Sequence, residues 1–153
     1  MPDERFKNIG EILAFAVERE EEAAHGYEDM MSRAKNDSLR LLLADLKAEE
    51  ENHKRLLLDL SSSPAADLAA VKVPDLRISD FLVEAPVNAE TSLQDLLIFA
   101  AKKEQKAVEL YERLRAAAST DDQRRLFEFL ISQERQHKLR LETEYENRIL
   151  WEN

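Results

Sequence analysis

Apolar residues recur at spacings of three, four and seven along four stretches of this chain. In the first, Ile9, Ile12, Leu13, Ala16, Ala23, Tyr27 and Met30 make one stripe, the mark of an amphipathic helix that buries one face. The stripe predicts a helix over residues 6–34. Lys35-Asn36-Asp37-Ser38 breaks it and offers Asp or Asn as a helix cap. A second helix is expected over 38–60, ended by Ser61-Ser62-Ser63-Pro64. A third starts near Thr91 or Ser92, where Ser92 with Asp95 three residues on resembles a capping box, and runs to about 118. Thr120 with Gln123 is the full capping-box pattern, and opens a fourth helix that reaches about 149. Residues 61–90 hold Pro64, Pro74 and Pro86. That stretch is too long for a tight turn and reads as a crossover along a bundle, with short helical turns expected at 67–71 and 78–83.

The expected fold is therefore all-α, a four-helix bundle in one domain over 1–153. Hairpin one spans about 6–60, the crossover 61–90 and hairpin two about 91–149. The second hairpin repeats the first. Residues 12–60 slide onto 96–144 at an offset of 84 with no gap, pairing Phe15 with Phe99, Glu20 with Glu104, Tyr27 with Tyr111, Glu50 with Glu134 and His53 with His137. Helical composition makes Ala, Leu and Glu coincidences common. Tyr and His are rarer, and both pairs fall on the same offset.

Each hairpin carries one Glu on its first helix and Glu-x-x-His on its second. These are Glu20 with Glu50 and His53, then Glu104 with Glu134 and His137, and in both the first Glu precedes the second by thirty residues. The i to i+3 spacing sets Glu and His roughly 60° apart on one helix face, one turn along, where both can grip one cation. Glu20 lies on the apolar stripe, with Ala16, Ala23 and Tyr27 on the same face, and Glu104 repeats this with Ala100, Ala107 and Tyr111. A buried carboxylate must be paired or liganded. Four carboxylates balance two divalent ions, whereas the empty site would repel itself and raise its own pKa values. Oxygen with imidazole ligation favours iron or manganese over metals that want soft ligands, with zinc as a further substitute. Tyr27 and Tyr111, seven residues past the stripe Glu on the same face, either fill the core or hydrogen-bond a ligand carboxylate, and the second is expected.

The chain has no cysteine, which removes disulfides, thiolate catalysis, zinc–thiolate sites and iron–sulfur clusters. Its two glycines leave no Gly-rich phosphate loop. A net charge of -10 argues against nonspecific nucleic-acid binding. The N-terminus MPDERFKNIG shows no leader pattern, and the longest run of Ala, Leu, Ile and Phe is 96–101, far short of the ~20 residues a membrane helix needs. A cytoplasmic protein that binds no membrane is expected.

The segments AVEREEEAAHGY with LKAEEENH, then AAKKEQKAVELY with LISQERQH, resemble the rubrerythrin-like, ferritin-like di-iron carboxylate superfamily over about 10–145. The resemblance implies two irons between the helix pairs. Glu50 and Glu134 would bridge them, Glu20 and Glu104 would be terminal ligands, and His53 and His137 would each complete one iron. It implies reduction of hydrogen peroxide, reaction with dioxygen, or oxidation of ferrous iron for storage. A metal-binding bundle without turnover is the reading from another class. This chain departs from the family pattern in three places. Rubrerythrin proper carries a four-cysteine rubredoxin-like site, and its absence calls for a separate electron donor, such as a rubredoxin-like protein. An additional family Glu is replaced by Ala107, with Ala23 as its mirror. Glu51 stands where bacterioferritin has its haem-binding Met, so no haem is expected. The chain also lacks the short fifth helix of ferritin cages, so no such cage is expected.

His25 has Glu109 as its repeat mate and is expected on the surface. Trp151 is read as packing on the bundle or a partner chain. In the runs Glu20-Glu21-Glu22 and Glu49-Glu50-Glu51, the members other than Glu20 and Glu50 are expected to be solvated. Leu41-Leu42-Leu43 and Leu56-Leu57-Leu58 cover more than one helix face, which points to contacts with the crossover or to a homodimer, hairpin-swapped in one form.

Overall fold

A computed structural model describes residues 9–60, 75 and 91–152. Four helices follow in order: α1 Ile9–Arg33, α2 Asp37–Leu58, α3 Leu93–Ala117 and α4 Asp121–Glu152. Among the described residues there is no strand. The bundle is all-α, as the stripes predict. The fourth helix runs three residues past the expected end. The helical turns expected at 67–71 and 78–83 lie outside the described residues, as does the side chain of Trp151.

The caps sit where the sequence placed them. Asn36 Oδ1 accepts from the Leu39 amide at 2.7 Å, and Ser92 Oγ accepts from the Asp95 amide at 3.1 Å. Each satisfies an amide that the first helical turn leaves without a partner. At α4, Thr120 Oγ1 accepts from the Gln123 amide at 3.1 Å, while Gln123 Oε1 takes the Ser119 amide at 2.8 Å. The return bond of the box thus lands one residue earlier than the standard pattern.

Helices α1 and α2 pack closely along their length, as do α3 and α4, and the two hairpins meet chiefly through α1 against α3. The apolar core has two parts. One gathers Ala16, Leu57, Val108, Leu114, Leu126 and Leu130. The other gathers Met30, Leu39, Leu43, Leu97, Ala101 and Leu141. On each helix one proposed ligand falls between the two parts: Glu20 after Ala16, Glu50 before Leu57, Glu104 after Ala101 and Glu134 before Leu141. A polar layer is therefore clamped between two oily ones, and water is kept from it on both sides. Leu97, fully buried in the second cluster, measures that clamp. Leu97→Ala is expected to cost about 2–5 kcal/mol of stability, read by urea unfolding.

The crossover is described at one point. The Asp75 carboxylate accepts from Lys138 Nζ at 3.1 and 3.2 Å, and Lys138 is buried on α4. Among the described residues, no helix is long and apolar enough to cross a membrane.

Candidate metal centre

Glu20, Glu50, His53, Glu104, Glu134 and His137 are all buried, and the bundle brings all six into one layer. Two overlapping groups form there. Glu20, Glu50, His53 and Glu134 offer donor atoms within 4.8 Å of one another, and so do Glu50, Glu104, Glu134 and His137. Glu50 and Glu134 belong to both groups. The helices cross over in their contacts, since His53 Nδ1 lies 2.7 Å from Glu134 of the other hairpin and His137 Nδ1 lies 2.6 Å from Glu50. The two imidazoles stack with centroids 5.5 Å apart and planes 13° from parallel.

The tyrosines complete the same crossed pattern. Tyr27 donates to Glu104 Oε1 at 2.5 Å, and Tyr111 donates to Glu20 Oε1. Each phenol therefore steadies the stripe Glu of the opposite hairpin rather than that of its own helix. One oxygen of each stripe Glu is held this way, and the other faces the donor cluster. Tyr111→Phe is expected to cost about 1–3 kcal/mol, the usual penalty for stripping a partner from a buried acceptor, read as a lower melting temperature of the metal-free protein.

Charge is the dominant problem of this layer. Burial pushes the Glu50 carboxyl well above its usual range, and the nearby charges of Glu104 and Glu20 push it further. Burial acts the same way on Glu20, but its neighbours Glu50, His53 and Tyr111 outweigh it and hold that carboxyl low. Burial disfavours the imidazolium forms of His53 and His137, yet their carboxylate neighbours, Glu20 and Glu104 foremost, raise both. Burial and the adjacent carboxylates hold both tyrosines protonated.

The fit to cations rests on six atoms. Glu20 Oε2, Glu50 Oε1, Glu104 Oε2, Glu134 Oε1, His53 Nδ1 and His137 Nδ1 are buried without a partner in hydrogen-bonding geometry. Native interiors rarely leave such groups unsatisfied. These six are also the donor atoms that converge, so an ion with oxygen and imidazole ligands would satisfy them together.

One residue escaped the sequence reading. Glu49, expected to be solvated, is half-buried, and its Oε2 lies 2.6 Å from His137 Nε2 and 3.3 Å from Arg140 Nη1. The signal available was its repeat mate Gln133, which holds the same post beside His53 at 3.4 Å. Glu21, Glu22, Glu51 and His25 are exposed as expected.

A bundle of two like hairpins closing four carboxylates and two imidazoles into a buried layer defines the ferritin-like carboxylate class of metal-binding fold. The rubrerythrin family model matches residues 11–145. The chain belongs to the rubrerythrin family. No curated protein and no solved structure matches it.

Proposed function

We propose that this protein is a di-iron redox protein that reduces hydrogen peroxide with electrons from a separate donor. The observation that carries the reading is the placement of the donor cluster at the floor of a cavity of about 660 Å³ that opens between α1 and α3. All four cluster carboxylates line it, whereas neither histidine does. A small oxidant entering there meets the carboxylate side of the centre, with the imidazoles behind. Two irons held by Glu20, Glu50, His53, Glu104, Glu134 and His137 would supply one electron each, and peroxide with two electrons and two protons gives two waters.

The protein's own residues do the rest. Glu50 and Glu134, shared by both donor groups, would serve both ions. Four carboxylates neutralise two divalent ions, and the phenols of Tyr27 and Tyr111 keep Glu20 and Glu104 from swinging away. The apolar clusters close the layer above and below, and the cavity opens it to one side. Ala23 and Ala107 line the cavity, so the position where relatives carry an additional Glu here makes room. Filling it tests the route. Ala107→Phe is expected to slow oxidation of the ferrous protein by peroxide about tenfold or more with both irons still bound, since a misplaced approach of this size costs up to ~100-fold.

The test of the function is anaerobic loading with Fe(II), then stopped-flow mixing with equal peroxide or dioxygen. Saturation at two irons per chain with much faster oxidation by peroxide supports the reading. Faster reaction with oxygen that continues past two irons per chain replaces it with ferrous-iron oxidation for storage. Binding without oxidation leaves a metal-binding bundle. Leu41 and Leu58 are 67% and 60% exposed, which supports a homodimer in solution, checked by sedimentation.

A further inference from the structure

The donor layer draws matching residues from the two hairpins, but what stands behind it does not match. His53 Nε2 faces Gln133 Oε1 at 3.4 Å, and His137 Nε2 faces Glu49 Oε2 at 2.6 Å. Positions 49 and 133 are repeat mates, as are 56 and 140. One half therefore has Glu49 held by Arg140 at 3.3 Å. The other half has Gln133, with Leu56 at the position of the arginine.

We propose that Glu49 makes the two metal positions unequal: the ion beside His137 binds first and is retained, and the ion beside His53 binds second and exchanges. The inference rests on the metal reading of the site. Both imidazoles turn Nδ1 toward the carboxylates, so metal ligation through Nδ1 leaves the hydrogen on Nε2. A carboxylate accepting that hydrogen at 2.6 Å fixes the tautomer and the ring, and makes Nδ1 a stronger donor. An amide oxygen at 3.4 Å does little of either. Charge acts in the same sense as this hydrogen bond, because Arg140 is shared between Glu49 at 3.3 Å and Asp45 at 3.5 Å, whereas Gln133 and Leu56 carry no charge. Such partners change metal affinity by about 10–100-fold, and that is the expected gap between the two positions.

Any two ions in one carboxylate layer repel each other, so two binding steps alone would prove nothing. The test must identify which position fills. Metal-free protein labelled with ¹⁵N at histidine is titrated with diamagnetic Zn(II) and followed by NMR, with exposed His25 as the internal reference. At one equivalent the His137 resonances are expected to shift and those of His53 to stay. Glu49→Gln is expected to weaken the first step about tenfold and spread one equivalent over both histidines. Gln133→Glu is expected to tighten the second step. Glu49 is half-exposed, so the isosteric variant keeps the fold, which circular dichroism checks. Equal shifts of His53 and His137 in the unaltered protein, or an unchanged order of filling in Glu49→Gln, overturn the proposal while the metal reading stands. No Zn(II) binding at all overturns both.

Discussion

Replacing Glu50 by glutamine is expected to abolish the paired metal centre and to raise the melting temperature of the metal-free protein. The two effects share one cause. Glu50 belongs to both donor groups, so its loss removes a ligand from each position at once. Loss of an outer partner costs roughly 10–100-fold in metal affinity, and loss of a shared ligand should exceed that. Without metal, however, the same carboxyl is a burden. It is buried beside Glu104 and Glu20, and burial first and those charges next force it toward the protonated state. An amide of the same shape carries no charge to repel. Stabilisation on the order of 1–4 kcal/mol is expected, the scale seen when buried charged groups give way to neutral ones of like volume. Thermal unfolding with chelator, beside a titration with a divalent ion, reads both effects. A variant that melts lower than the parent, or one that still takes two ions tightly, would show that Glu50 does not hold the shared place assigned to it.

This trade between stability and binding is the form in which a site shows itself in a sequence. Glu20 and Glu104 were legible because each interrupts an apolar stripe where a carboxylate has no structural excuse. His53 and His137 were legible because an i to i+3 pair repeated at one offset is a geometric statement about a helix face. The caps at Asn36, Ser92 and Thr120 were legible because they depend on three residues of local chain. What could not be read is whatever crosses the bundle. Tyr27 reaches Glu104 and Tyr111 reaches Glu20, and spacing along one helix does not say that a phenol will serve the other hairpin. Glu49 sits one residue from Glu50, about 100° round the helix, so on its own helix it reads as solvated. Only the approach of α4 turns it toward His137. Lys54 and Lys138 are repeat mates, yet Lys54 is a half-exposed partner of Glu21 at 2.5 Å while Lys138 is buried against Asp75. The repeat predicts the donor layer well because the residues that meet there are repeat mates from the two hairpins. It predicts the outer faces poorly because the crossover reaches Lys138 on α4.

The stability of the metal-free protein is expected to fall as pH rises through neutrality, and metal is expected to reverse that slope. Glu50 has a folded-state pKa well above its usual 4.5 because it is buried among like charges. From about 4.5 upward the native protein therefore holds a proton that the unfolded chain has lost, and each step up in pH favours unfolding. His53 and His137 act in the same sense. Their carboxylate neighbours raise both above 6.5 against the effect of burial, so their contribution is complete below 6.5 and is lost as pH climbs through the raised values. Glu20 acts oppositely, since its lowered pKa gives stability above 4.5 that is lost on acidification. The sum places the most stable metal-free state on the acid side of neutrality, with a decline as pH rises. Divalent ions compete with the same protons for the same six atoms. At higher pH the ions win more easily, and an ion at a thousand times its Kd adds about 4 kcal/mol. Melting curves from about pH 5 to 8, with chelator and with excess divalent ion, should diverge as pH increases. Parallel curves would mean that the buried carboxylates and imidazoles are not where the metal goes.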